Sequence, residues 1–285
     1  MKTLPTRCLI TTCLTTVCLF TILAAPSRAG ESGETMTTKT TTQPTSQPAA
    51  EINVAVEKTS EGDLTLQPIN RSSVRFEFKG KQYYVDPSGE ADWDRMPKAD
   101  IIFVTHEHGD HLDLAVIRTI TKKDTVVYTS AASLKKVQES QAKEEEAKSA
   151  PKLPKFGLIQ VGETKEFGDI TVSAMPAYNV SEERKNFHPK SRQDNGYVLT
   201  FGDKRVYVAG DTEETPEMKA LKDIDIAFLP CDPRYTMSVK EAAEAARTLQ
   251  PKIFYPYHQG PSDPNEVKDL LKDEKNIEVR VFPLP

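Results

Sequence analysis

Thr105-His106-Glu107-His108-Gly109-Asp110-His111 holds three of the chain's five histidines together with two acids. In an extended chain, residues two apart point the same way, so His106 and His108 can converge on one ion. Asp110 and His111 follow Gly109, whose permitted bend can turn them towards a second ion. Imidazole and carboxylate donors at this density are the chemistry of a metal site, not of core packing. The helical zinc signature needs histidines four apart, and the residue four after His106 is Asp110. The cluster is therefore expected on a loop after the apolar run Ile101-Ile102-Phe103-Val104, not on a helix face.

Two metals need more donors than one loop supplies. Arg205-Val206-Tyr207-Val208-Ala209 reads as a strand that stops at Gly210-Asp211-Thr212, and a carboxylate freed by a Gly past a strand end is placed to bridge two cations. The plainer reading of Asp211 is a turn residue or a helix cap before Thr215–Leu221. Ile253–Tyr257 likewise ends on His258, at a strand end where sites are commonly built.

The elements that position these residues follow from pattern. Strands are expected at Ile52–Val56, Leu64–Ile69, Val74–Lys79, Gln82–Val85, Ile101–Thr105, Thr125–Thr129, Leu158–Val161, Thr164–Phe167, Ile170–Ala174, Tyr197–Phe201, Arg205–Ala209, Ile226–Leu229, Ile253–Tyr257 and Val279–Phe282. Helices are expected at Leu112–Ile120, Ala131–Ala150, Ser238–Gln250 and Asn265–Asp273. Both halves run strands together with helices on the outside only, which suits two packed sheets flanked by helices in an α/β (α+β) domain. No internal repeat is visible in the residues.

Lys2 and Arg7 precede an uncharged apolar, Thr-rich stretch from Cys8 to Ala25, and Ser27-Arg28-Ala29 offers a cleavage site. Residues 1–29 read as an export signal, and the mature chain is expected to begin near Gly30, periplasmic or secreted. An uncleaved anchor is the lesser reading, because the apolar stretch is marginal against a span of about 20 residues. Residues 30–50 are rich in Thr, Ser and Pro, a flexible linker, and 51–285 hold a single domain with a sizeable core. Three of the four cysteines lie in the signal, so Cys231 has no intrachain partner in the mature chain and reads as a small buried residue. Without the signal the formal charge is −8, against −5 for the whole chain. An acidic surface excludes general nucleic-acid binding, and no stable membrane insertion is expected once the signal is gone.

The order HxHxDH, a His, a Gly-Asp-Thr and a terminal His resembles the metallo-β-lactamase superfamily from about Leu64 to His258. Asp86-Pro87, Pro97-Lys98-Ala99-Asp100, Pro176-Ala177-Tyr178-Asn179, Tyr235-Thr236-Met237 and Pro256-Tyr257-His258 are similar to the branch containing ascorbate phosphate lactonase and N-acylphosphatidylethanolamine phospholipase D. The resemblance implies a four-layer αββα sandwich with the site at one edge. It also implies a first metal on His106, His108 and one more His, a second on Asp110, His111 and His258, and Asp211 between them. Many relatives place the additional His directly after a strand, in a Pro-Ala-x-His segment; here that position is Asn179, and His188 is the histidine left to complete the set. Intact His108 and His111 favour hydrolysis over two-iron redox chemistry.

The implied activity is that of an exported hydrolase in which two divalent metal ions, zinc with manganese or iron open, activate a hydroxide against a small ester, lactone or phosphodiester. Asp110 is the candidate to orient that hydroxide and take its proton. Asp86 is a candidate hydrogen-bond partner of a ligating His, or else a strand-end turn residue. Arg184, Lys190 and Arg192 surround His188 and are candidates to hold an anionic small-molecule substrate, although a solvated polar loop is their ordinary reading. The alternative function is a non-catalytic metal- or ligand-binding protein that keeps the fold, which Asn179 favours.

Overall fold

Val74–Phe78 shows how the layers arise: Val74, Phe76 and Phe78 are buried on one face of the strand, while Arg75 and Glu77 pair with each other on the other. The computed structural model describes residues 54–147 and 152–282, without the side chains of 144–147. The expected export signal and linker, residues 1–50, lie outside the described residues, as does the end of the helix expected to reach Ala150.

The first sheet takes its seven strands in chain order: β1 (Ala55–Thr59), β2 (Gly62–Pro68), β3 (Val74–Phe78), β4 (Lys81–Val85), β5 (Ala99–Val104), β6 (Thr121–Thr129) and β7 (Lys155–Leu158). The second takes β8 (Thr164–Glu166), β9 (Ile170–Ala177), β10 (Asp194–Phe201), β11 (Lys204–Val208), β12 (Ile226–Pro230), β13 (Ile253–Tyr257) and β14 (Glu278–Val279). In the first sheet β1 to β4 pair antiparallel and β4 to β7 parallel. The second repeats this pattern, antiparallel from β8 to β11 and parallel from β11 to β14. The fold is thus duplicated in topology even though no repeat is visible in the residues.

The inner faces of the sheets bury Leu66, Phe76, Phe78, Tyr83 and Phe103 against Tyr197, Leu199, Phe201, Val208 and Phe228. Phe201 sits 5.5 Å from both Phe76 and Phe78 across the interface, and such aromatic pairs add about 0.5–1.5 kcal/mol each beyond their buried area. Outside the first sheet lie α1 (Leu114–Ile120) and α2 (Ala131–Ala147); outside the second lie α3 (Pro216–Lys219), α4 (Val239–Leu249) and α5 (Glu266–Leu270). The result is the expected αββα sandwich. Asp113 caps α1 by accepting from the backbone of Ala115 and Val116, and Ser238 and Glu241 close a capping box on α4.

Loops at one edge follow the ends of β4, β5, β9, β11 and β13, and these loops build the site. At the opposite edge the β1–β2 and β10–β11 turns meet, where Ser60 N–H donates to Asp203 at 2.6 Å.

Candidate metal centre

β5 delivers the buried His106 just beyond Val104, and the next turn closes on itself, with His111 N–H and Leu112 N–H both donating to His108 C=O. Gly109 is not what permits this turn. Its φ is not positive, and a Cβ there would meet nothing within 4 Å. Gly210 is the glycine the site requires: φ is +69°, and a Cβ would lie 2.9 Å from Asn195 O and 3.2 Å from Thr105 Cβ. That close approach lets the chain turn after β11 and present Asp211. His258, past β13, takes φ +50° without being glycine, and Arg71 C=O holds its N–H at 2.8 Å.

Two groups of donors result. His106, His108 and His188 converge in one, with His106 Nε2 3.1 Å from His108 Nδ1. Asp110, His111 and His258 converge in the other, with His111 Nε2 3.2 Å from His258 Nε2 and His258 Nε2 3.3 Å from Asp110 Oδ2. Asp211 stands between them. Its Oδ2 is 3.4 Å from His188 Nε2, and its Oδ1 is 3.3 Å from His111 Nε2 and 3.4 Å from His258 Nε2. All seven candidate ligands are therefore brought to one place.

These separations fit metal ligation. Ligands about 2.0–2.2 Å from a tetrahedral ion lie about 3.3–3.6 Å from one another. Oδ1 of Asp211 is moreover buried without a hydrogen-bond donor, as is Nδ1 of His188 without a partner. A buried orphaned carboxylate oxygen among imidazole nitrogens is costly unless a cation completes it.

Electrostatics agree. Burial alone would raise the Asp211 carboxyl, but His258 and His111 hold it well below the usual carboxylate range. Burial likewise opposes charge on His111, yet Asp211 and Asp86 raise it well above an ordinary imidazole. Burial and the neighbouring His111 push His106 well down, leaving its nitrogens free of an extra proton. Asp110 stays ionised: against the cost of burial, the hydrogen bond from His258 and the charge of His111 depress it.

A shell of other residues aims the ligands. Asp86 Oδ2 takes the Nδ1 side of His111 at 2.8 Å and the Thr105 hydroxyl at 2.7 Å, and its Oδ1 takes Thr105 N–H at 2.7 Å. Its φ of +49° shows that Asp86 turns the strand end as well as serving His111. Burial pushes its carboxyl up, and His111 and Thr105 restrain that rise. Ser72 and Ser88 both donate to Asp110 C=O.

Asn179 has partners of its own, although its Oδ1 is buried without one. Its side chain donates to Arg184 C=O and Tyr235 C=O, and its N–H donates to His188 C=O at 2.8 Å. Asn179 thus closes the loop that returns His188 to the centre. Glu213, two residues after Asp211, fastens the same loop by accepting from Val180 N–H, Ser181 N–H, the Ser181 hydroxyl and Arg184 Nε. Sequence reasoning missed Glu213, Ser72, Ser88 and Arg71, because no spacing ties a lone Glu, Ser or Arg to a distant loop.

The three basic candidates fare differently. Arg184, 14% exposed, spends its donors on Glu213 and on both oxygens of Glu241, so its place is structural and not at a substrate. Lys190 binds Glu217 at 2.9 Å and the Tyr178 hydroxyl at 3.1 Å. Arg192 does reach the centre, with Nη1 3.0 Å from His108 Nε2 and ion pairs to Glu107 and Asp194. A guanidinium only donates, so that contact is a hydrogen bond only while His108 Nε2 carries no proton. Cys231 is buried, with its hydrogen to Tyr257 C=O.

Comparison with known proteins now gives this geometry a family. The Beta-lactamase superfamily domain matches residues 76–259. A UPF0173 metal-dependent hydrolase of Geobacillus thermodenitrificans is 31% identical over 217 residues, covering 70% of this chain and 89% of that protein. A UPF0173 protein of Pyrococcus furiosus is 31% identical over 203 residues, covering 70% and 86%. A solved structure of a candidate metal-dependent hydrolase from Parabacteroides distasonis superposes with a TM-score of 0.73 at 43% identity, over 82% of this chain and 100% of that one. The finer likeness to the lactonase and phospholipase branch rests on the sequence motifs alone. With the sandwich, the clustered donors and these relatives together, the chain belongs to the β-lactamase superfamily, as a metal-dependent hydrolase of the metallo-β-lactamase fold.

Proposed function

We propose that the chain is an exported hydrolase that holds two divalent cations and cleaves a small ester, lactone or phosphodiester. The observation that carries this reading is Asp211, whose two oxygens are divided between the His188 side and the His111–His258 side of the centre. His106, His108 and His188 would hold one ion and Asp110, His111 and His258 the other, with Asp211 shared. Imidazole and carboxylate donors suit zinc, with manganese and iron as the other ions they accept. When bound, such a pair supplies Lewis acidity at the substrate oxygen and makes a water acidic near neutral pH.

The chain's own residues supply position. Asp110 is the one acid of the set at the surface, with its side chain 49% exposed, so it meets substrate and water as well as His258. A carboxylate depressed that far is a weak base. It would orient an attacking water by accepting its hydrogen bond and pass the proton onward instead of keeping it. The rival reading, a binding protein without turnover, drew on Asn179 at a ligand position. His188 beside Asp211 supports the hydrolase reading over it.

Elemental analysis of the purified protein, together with turnover of bis(4-nitrophenyl) phosphate and a lactone panel, tests the proposal. Two ions per chain and turnover abolished by chelation support it; one ion and no turnover on any member would replace it with the binding reading. Export rests on the pattern of residues 1–29, and N-terminal sequencing of the protein from its producing cell should find a start near Gly30.

A further inference from the structure

Beside Asp110 a cleft of about 520 Å³ opens, walled by Asn70, Arg71, Ser72, Ser88 and Gln259. Most of its polar atoms are spoken for: Asn70 donates to Ser88 C=O, and the two serines hold Asp110 C=O. Arg71 is different. Its Nη2 donates to Asp232 Oδ2 at 2.7 Å and lies 3.5 Å from His258 Nδ1, while its Nε is buried without a partner and the side chain is 37% exposed. Gln259 Oε1, in the same wall, is also buried without a partner.

Asp232 is fully buried and serves two guanidinium groups, Arg71 and, at 3.5 Å, Arg234. Asp232 thus orients both guanidinium groups, and that of Arg71 is the one that borders the cleft. Gly260 permits this arrangement, because a Cβ there would lie 2.1 Å from Asp232 Oδ2. The Arg71 fork is thereby fixed next to a candidate ligand while keeping N–H groups for the cleft.

We propose that Arg71, steadied by Asp232, is a specificity-determining anchor for a carboxylate on the substrate, separate from the bond that is cleaved. Glu90 and Asp110 also face the cleft, which disfavours a dianion such as a phosphate monoester and suits a single negative charge. This inference rests on the hydrolase reading above, and a binding measurement separates the two.

The experiment compares mono-4-nitrophenyl succinate with 4-nitrophenyl butyrate on the metal-loaded protein, in wild type, Arg71→Gln and Arg71→Lys. Calorimetric binding of monomethyl succinate, a monoanion, and of phenyl phosphate, and metal content, are measured on the same samples. Wild type should prefer the succinate ester. Arg71→Gln should cut that preference about tenfold or more through KM and weaken monomethyl succinate binding by a similar factor, with Arg71→Lys between. An unchanged preference together with unchanged monomethyl succinate affinity would overturn the anchor. So would phenyl phosphate binding more tightly than monomethyl succinate, which would make the site a phosphate site. Arg71-dependent monomethyl succinate binding without turnover of either ester would sink the hydrolase reading and leave the anchor standing. If Arg71→Gln fails to fold because Asp232 is stranded, the pair Arg71→Gln/Asp232→Asn removes both charges together and carries the same expectation.

Discussion

Asp86 Oδ2 receives Nδ1 of His111 at 2.8 Å, and this one contact decides which imidazole nitrogen is left for an ion. With Nδ1 occupied, Nε2 is the nitrogen turned towards Asp110, Asp211 and His258, where an ion would take the place of its proton. Asp86→Asn removes the charge and offers a donor where an acceptor is needed. Metal affinity should fall about ten- to hundredfold, read by chelator competition. Unchanged affinity would mean that packing alone orients His111.

His188→Ala should cost the protein one of its two ions, counted by elemental analysis. Asn179→Ala should keep both and cost about 1–2 kcal/mol of stability, from the two side-chain hydrogen bonds that close the loop. The reverse outcome would exchange the roles of the two residues.

Arg184→Ala tests stability and not substrate. It strands Glu213, buried beside it, and frees Glu241, so a loss of about 2–3 kcal/mol is expected, a fall in Tm of roughly 5–10 °C. Burial raises the Glu241 carboxyl, but the hydrogen bonds from Arg184 and Ser238, with the Arg184 charge, together outweigh it and leave the carboxyl below its ordinary 4.5. A depressed carboxylate contributes in full above its unfolded pKa and less as pH falls through its folded one. The Tm gap between wild type and variant should therefore narrow below about pH 4. A variant with unaltered Tm but a raised KM would return Arg184 to the substrate.

Burial, helped by the charge of Asp232, pushes the Cys231 thiol up to about 12. At pH 8 it is protonated and enclosed, so Ellman's reagent should leave it untouched in folded protein expressed from Gly30 onward and modify it fully in denaturant. Rapid labelling of the native protein would show that the strand end after β12 opens.

The candidate centre was legible where chemistry is dense in sequence or where a strand stops at an unusual residue. Four donors in six residues announce themselves, and Asp211 and His258 are marked by the apolar strands that precede them. His188 was reachable only by elimination, because the loop that returns it is fixed by Asn179 and Glu213 through backbone contacts that leave no pattern. Gly109 was misread for a related reason: a glycine beside a ligand invites a conformational role, yet Gly210 is the one that pays a steric debt. Strand cores emerged from alternation, while their ends shifted. β6 begins at Thr121, four residues before the apolar run, and β14 occupies Glu278–Val279 instead of Val279–Phe282. The duplicated topology left no trace because strand pairing needs burial and register, not matching side chains.

The Ser60–Asp203 bond makes the two rims of the sandwich unlike. At that rim the halves meet through an exposed polar pair, whereas at the other Asn195 N–H to Thr105 C=O and Arg71 to Asp232 join the sheets beside seven clustered donors that a cation would tie further. An ion held there would be a removable rivet between the two sheets. Its withdrawal should speed exchange of the amides beyond β5, β11 and β13 while leaving those in the middle of β3 and β10 slow, which gives metal occupancy a signature that needs no substrate.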